Sequence, residues 1–315
     1  MKLAFLFPGQ GAQKVGMGHD LFESSHAARS AFEEADAALG ESLSKLIFEG
    51  PSEDLTLTAN TQPAILTMSV AALRAFGEKA DVPPEFVAGH SLGEFSALTA
   101  VGAMTFADAV RTTRARGTFM QEAVSPGQGA MAAVMGEITP EEITATCEAA
   151  AEDEVVSPAN FNAPGQVVIS GHAEAVKRAS ETLVQKGAKV IPLKVSAPFH
   201  STLMKPAALK LDTTLAGVEI NTPSAPVVTN VEAEPNNEAS RVRELLVSQV
   251  TAPVRWTDSI RFMLDAEIEL FLEFGPGNVL AGLLRRIERS ANIVSVNSQV
   301  GLDKAVEALE KLKKT

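Results

Sequence analysis

Two rhythms of apolar residues alternate along the chain. Short runs that are apolar at nearly every position, such as Leu3-Ala-Phe-Leu-Phe7, Phe86-Val-Ala88 and Leu270-Phe-Leu272, predict strands buried on both faces, because a strand covered on one side alternates apolar with polar. Strands of this kind are expected over 2–7, 86–88, 227–231, 269–274 and 293–296. Between them, apolar residues recur every three to four positions and predict helices over 20–39, 42–48, 62–76 and 105–124. Gly50-Pro51 stops the second of these, and Pro63 opens the third. Further helices are expected from Leu92, from about 201 to Gly217, over 238–250, 256–264 and 279–289, and in a charged amphipathic segment at the end. Strands separated by helices imply an α/β core on a mostly parallel sheet.

From Ser125-Pro-Gly-Gln-Gly129 the rhythm changes. Strands over 130–135, 155–160, 166–170 and 189–195 enclose helices over 139–151 and 172–186, and Thr139-Pro140 forms a capped helix start. The order β-α-β-β-α-β is that of a ferredoxin-like module. Turn residues flank it on both sides, so residues 127–196 read as an inserted small subdomain, with 1–126 and 197–315 forming the core.

The candidate chemistry sits at Gly89-His-Ser-Leu-Gly93. The pattern is that of a nucleophile elbow, with a Ser on a sharp turn between a strand and a helix. Phe86-Val-Ala88 supplies the strand, and Leu92, Phe95, Leu98 and Val101 supply the helix spacing. Side chains two residues before or after Ser91 would collide where the two elements meet, hence Gly89 and Gly93. The free N–H groups of the helix start, that of Leu92 first, point at an oxyanion formed when the Ser attacks a carbonyl. The plainer alternative is a glycine-containing turn with an ordinary Ser cap.

The first strand ends in Phe7-Pro-Gly-Gln-Gly-Ala-Gln13, the place where α/β folds bind phosphates. The dinucleotide pattern fails at its third glycine, where Lys14 stands, and no Gly-Lys-Ser/Thr follows. Gly9 and Gly11 are better explained as exposing the backbone N–H of Gln10, a second oxyanion donor beside Leu92.

A Ser nucleophile needs a base, and there are five His residues. His19 and His26 fall in an early polar helix, His172 caps a helix of the insertion, and the turn directs His90 away. His200, in the loop re-entering the core after Pro198, remains. It precedes a long C-terminal stretch and adjoins no acidic residue, unlike the base of α/β-hydrolase esterases. Its ring is therefore expected to be oriented by a carbonyl or an amide.

Composition narrows the partners. A chain of 315 residues with 45% hydrophobic and 21% charged residues has a globular composition. The net charge of −12 argues against nucleic acid. The single cysteine, Cys147, excludes an internal disulfide and a thiolate metal cluster and suits a reducing cytoplasm. No export signal and no membrane span is read from the sequence.

Seven motifs then fall in order: Phe7-Pro-Gly-Gln-Gly-Ala-Gln13, Gly89-His-Ser-Leu-Gly-Glu94, Arg116-Gly-x-x-Met-Gln121, Asn162-Ala-Pro-Gly-Gln-Val-Val-Ile-Ser-Gly171, Phe199-His-Ser201, Gln249-Val-Thr-Ala-Pro-Val-Arg-Trp256 and Glu273-Phe-Gly-Pro-Gly277. Together, and over essentially the whole chain, they closely resemble the malonyl-CoA:acyl carrier protein transacylases of type II fatty acid synthesis. The resemblance implies an α/β-hydrolase-like core with an inserted ferredoxin-like subdomain. It implies malonylation of Ser91, with His200 as base and then acid, Gln249 lending a backbone carbonyl to orient the ring, and Gln10 and Leu92 as oxyanion donors. Arg116 is implied to pair with the free carboxylate of malonate, for which a guanidinium fork is well shaped. Phe199, Met120 and Asn162 complete the implied substrate site, with Phe199 disfavouring branched acyl chains. Arg114 is a second nearby cation that many relatives lack.

Malonyl-CoA and a transiently bound acyl carrier protein are the implied partners. No metal and no cofactor is expected, since the CoA thioester is a substrate. Carrier proteins are acidic, so docking calls for a local basic patch, either Arg285, Arg286 and Arg289 or Lys189 and Lys194. A thioesterase or esterase on the same elbow, and a nucleotide-binding domain using the Gly9 turn, are the competing readings.

Overall fold

The computed structural model describes residues 1–193, 195 and 197–314. Two sheets organise it. Among the described residues ten strands follow in chain order: β1 Leu3–Phe7, β2 Phe86–Gly89, β3 Gly129–Met135, β4 Val156–Ala163, β5 Gln166–His172, β6 Lys189–Pro192, β7 Val227–Val228, β8 Pro235–Asn236, β9 Leu270–Phe274 and β10 Ile293–Val296. The larger sheet runs β10-β9-β1-β2-β7-β8 and is parallel except for β8. The smaller runs β4-β5-β3-β6 and is antiparallel. Numbered within the module, that strand order is 2-3-1-4, the arrangement of a ferredoxin-like fold.

The unbroken apolar runs have the expected cause. Leu3, Phe5 and Phe7 of β1 enter one core cluster, with Leu270, Leu272 and Phe274 of β9 and the long helix Thr58–Gly77. Ala4, Leu6 and Phe271 point the other way, onto Trp256, Ile260 and Leu284. The central sheet is thus covered on both faces. In the small sheet, Ala132 and Val134 of β3 meet the helices Pro140–Ala151 and Ala173–Gln185. Met131, with the opposite orientation, packs with the main core.

Several element boundaries differ from the sequence expectation. The helix expected over 20–39 is two, His19–Ser24 and His26–Leu39. Ser25 between them is extended; its Oγ accepts from Ala28 N and donates to Glu78 Oε2, while Glu78 Oε1 accepts from Ala27 N. A cap built partly by a distant carboxylate ends one helix and starts the next. The helix Thr58–Gly77 begins a turn before Pro63, held by Asn60 Nδ2 on Asp54 O and Thr61 Oγ1 on Leu55 O. β7 is only two residues long, since Thr229 N turns back to Glu234 O and β8 occupies part of the expected polar loop. The helix expected to reach 289 ends at Ile287, where Glu288 is extended. β6 ends at Pro192 rather than 195, and Lys194 lies outside the described residues. His172 stands at a helix start without capping it, because its Nδ1 accepts from Val155 N.

Glu273, in the Glu273-Phe-Gly-Pro-Gly277 motif, is a structural anchor. It is fully buried at the end of β9 and accepts from Leu280 N, Ala281 N and Ser295 Oγ, tying the start of helix Val279–Ile287 to β9 and β10. Among the described residues no helix is long and apolar enough to cross a membrane.

Candidate active site

β1 and β2 are adjacent and parallel, with Phe7 paired to Gly89. Their C-terminal ends therefore deliver two turns, that of Gly9-Gln10-Gly11 and that of Ser91, to one edge of the sheet, where open α/β folds place their ligands. Close approach dictates the glycines. A Cβ on Gly89 would lie 1.9 Å from the carbonyl of Gly93, one on Gly93 would lie 2.0 Å from Phe7 O, and one on Gly9 would lie 2.4 Å from His90 O.

Ser91 itself has φ 51, a left-handed conformation that costs a residue with a side chain on the order of 1–3 kcal/mol. Asn230 holds it there. Ser91 N donates to Asn230 Oδ1 (2.6 Å), and Asn230 Nδ2 donates to Gly89 O (2.6 Å). The hydroxyl faces His200, with Oγ 2.8 Å from Nε2. On the far side of the ring, Nδ1 lies 2.9 Å from Gln249 O and 3.1 Å from Ala252 O. Two carbonyls accept only from an N–H, so Nδ1 carries the proton and Nε2 presents its lone pair to the hydroxyl. Burial, with the charge of Arg116 second, drives the imidazole pKa down to about 3, so the ring is a neutral acceptor near pH 7.

Arg116 comes from the helix Phe106–Glu122 and is 1% exposed. Gln62 Oε1 accepts from its Nη1 (2.7 Å), Gln249 Oε1 accepts from Nη2 (2.9 Å), and Nη2 also donates to Ser91 Oγ (3.1 Å). The guanidinium lies over Phe95, 5.5 Å from the ring centre. Among the described residues, its buried Nε has no partner and no carboxylate forms an ion pair with the guanidinium. A buried fork with spare donors and no ion pair can receive a carboxylate. Arg114, the second cation of this helix, is spent elsewhere, on Asn60 Oδ1 and Glu41 Oε1.

These groups meet at a cavity of about 120 Å³ lined by Gln10, Ser91, Leu92, Arg116, Phe199 and His200, with Gln62, His90, Met120, Met131, Asn160, Leu193 and Val195 around them. Asn162 stands one step back, with Oδ1 2.8 Å from His90 Nε2. Asn160, two residues earlier on β4, faces the cavity, a placement that no motif signalled. Gln62, Glu94, Asn230 and Ala252 are the other participants that sequence reasoning did not assign. Glu94 lay inside a quoted motif, whereas Asn230 gave no local signal. A larger cleft of about 1050 Å³ lies on the other face of β4, against Phe161 and Ala163, and its lining contains no His and no Cys. Chemistry rather than volume marks the site. Arg285, Arg286, Arg289 and Lys189 are exposed at the surface.

A Ser–His pair at a strand-to-helix turn with hydrogen-bond donors beside it is the equipment of acyl transfer. The acyl transferase domain family matches residues 4–314, and the chain belongs to this family of acyltransferases. It is 47% identical over 310 residues, 98% of each chain, to a malonyl CoA-acyl carrier protein transacylase of Bacillus subtilis. Among solved structures, an acyl-carrier-protein-S-malonyltransferase from Bartonella henselae superposes with TM-score 0.96 at 44% identity, covering 98% of this chain and all of the other. A malonyl-transacylase solved in complex with its type II PKS acyl-carrier protein gives TM-score 0.95 at 44% identity, with the same coverage. These neighbours share the fold of a parallel-containing sheet with a separate antiparallel one.

Proposed function

We propose that the protein transfers a malonyl group from malonyl-CoA to the phosphopantetheine thiol of an acyl carrier protein, by a ping-pong mechanism through malonyl-Ser91. The observation that carries the reading is that one hydroxyl oxygen is bracketed by a base and a guanidinium, at 2.8 Å and 3.1 Å respectively. The names of the relatives and the solved carrier complex support the choice of donor and acceptor.

In the first half-reaction the malonyl carboxylate pairs with Arg116, and the thioester carbonyl lies over Ser91. As Oγ bonds to the carbonyl carbon, its proton passes to His200 Nε2, and the N–H groups of Gln10 and Leu92 hold the oxyanion. The C–S bond then breaks, and the proton on Nε2 goes to the departing CoA sulfur. The second half-reaction runs in reverse with the carrier thiol: His200 takes the thiol proton, sulfur attacks the ester, and Ser91 leaves and regains its proton. Gln249 O and Ala252 O keep the ring in register through both halves. Phe199 and Met120 wall the acyl space, and Asn162 fixes His90 beside it. The reading assigns no metal or cofactor, since the CoA thioester enters as substrate, and it places the reaction in the cytoplasm.

Incubation with malonyl-CoA followed by intact-protein mass measurement is the test. One malonyl adduct on the peptide containing Ser91, absent in Ser91→Ala and discharged by holo carrier protein, is expected. An adduct that persists in Ser91→Ala, or release of free malonate faster than transfer, would overturn the proposal.

A further inference from the structure

Glu94 has no part in the scheme above, yet it is 2% exposed beneath the nucleophile turn, in the first turn of the helix Gly93–Ala100. Its Oε2 accepts from Asn230 N (3.0 Å) and from Gln249 Nε2 (2.9 Å). The same Gln249 amide turns its other end to the guanidinium, with Oε1 accepting from Arg116 Nη2 at 2.9 Å. Carboxylate, amide and guanidinium thus stand in line, and Gln249 Nε2 also donates to Ser91 O. The amide has one allowed orientation, because reversing it would set its oxygen against the Glu94 carboxylate and its NH2 against the Arg116 donors.

Charge in so dry a site must balance. Among the described residues, Arg116 is the side-chain cation whose charge acts on Glu94; His200 is buried and His90 half-buried, and desolvation leads the causes that depress both rings. One anion and one cation are neutral together. A second carboxylate arriving at Arg116 leaves a net buried negative charge, unless one of the two anions is protonated. Glu94 is suited to give way: burial raises its carboxyl to about 7, against the pull of Asn230, Gln249 and Arg116.

We propose that Glu94 is the exchangeable counter-charge of Arg116: its carboxylate balances the guanidinium in the free protein and takes a proton from solvent when the carboxylate of an acyl group reaches that guanidinium. The proton is returned when the acyl group leaves. Glu94 is then a positioning residue that sets selectivity for a carboxylated acyl group, and binding of such a group is proton-linked while binding of an uncharged one is not. The inference rests on the malonyl reading of the site and deepens it.

Calorimetric binding to Ser91→Ala protein at pH 7.5, in buffers of different ionisation enthalpy, counts the protons taken up with malonyl-CoA and with acetyl-CoA. An excess uptake with malonyl-CoA that disappears in Ser91→Ala/Glu94→Gln is expected; the Gln side chain keeps an acceptor for Asn230 and Gln249. Equal uptake with both ligands, or an excess that survives Glu94→Gln and so belongs to His200, would overturn the proposal. Failure of malonyl-CoA to bind at all would instead remove the malonyl reading itself. In the unmutated protein, KM for malonyl-CoA should rise roughly tenfold between pH 7 and 8.5 while that for acetyl-CoA stays level; parallel profiles would count against Glu94 even if the double variant failed to fold.

Discussion

Arg116 Nη2 donates to Ser91 Oγ across 3.1 Å, so the hydroxyl that must lose a proton already rests against a cation. The contact ties acyl recognition to the nucleophile, since whatever neutralises Arg116 is felt at Ser91.

Replacing Arg116 should therefore separate recognition from chemistry. Removing one partner of a buried charge pair costs about 3–5 kcal/mol, on the order of 10²- to 10⁴-fold in affinity or rate at about 1.4 kcal/mol per decade. Arg116→Ala is expected to lose malonyl transfer by that order while its transfer of acetyl, relative to malonyl, rises. An unchanged preference in competition assays with the two CoA esters would contradict the carboxylate role.

The depressed pKa of His200 fixes a pH behaviour with a definite sign. The folded value is about 3 and the ordinary one about 6.5. Protonation therefore favours the unfolded chain, and the stability due to the neutral ring is fully present above about 6.5 and is lost as pH falls toward 3. Acylation of Ser91 by acetyl-CoA should keep its base through mildly acidic pH for as long as the fold holds. Because Arg116 is the second cause of the shift, Arg116→Ala should move the acid limb upward; an acid limb that stays put would remove the electrostatic link between the two.

The elbow glycines admit a paired test. Gly93→Ala sets a methyl 2.0 Å from Phe7 O, a backbone atom of the central strand. Overpacking typically costs about 1–3 kcal/mol, and a clash with backbone belongs at or above the upper end. Gly282, within helix Val279–Ile287, has nothing within 4 Å of its added Cβ. Gly282→Ala should stabilise by up to about 1 kcal/mol through helix propensity. Thermal melts that move the two variants in the same direction would contradict the steric account.

Asn230→Ala removes the acceptor of Ser91 N and the donor to Gly89 O. Each buried group left unpaired costs about 1–3 kcal/mol. With the turn no longer held at φ 51, acylation of Ser91 should slow more than Tm falls would explain. A variant with full acylation rate would show that the turn is maintained by the glycines alone.

The buried Cys147 thiol, pushed up to about 12 by burial first and Glu148 second, should resist alkylation in the native protein and react at once in denaturant. Rapid native labelling would mean that the helix Pro140–Ala151 opens readily.

Much of this protein is written locally. The apolar runs of β1 and β9, the Thr139-Pro140 start with its capping box, and the glycines around Ser91 follow from rules that act within a few residues, where sterics and hydrogen-bond reach leave one choice. Local rules also put Ser91 at its turn and left His200 as the available base. They could not place Glu78, which breaks a helix from 53 residues away, or Asn230, whose side chain reaches Ser91 across 139. Nor could they bring His200 to Ser91 or set Gln62 and Gln249 on either side of Arg116. Those meetings exist because β1 lies beside β2 and buried polar groups must find partners once water is excluded, conditions that only the assembled tertiary structure imposes.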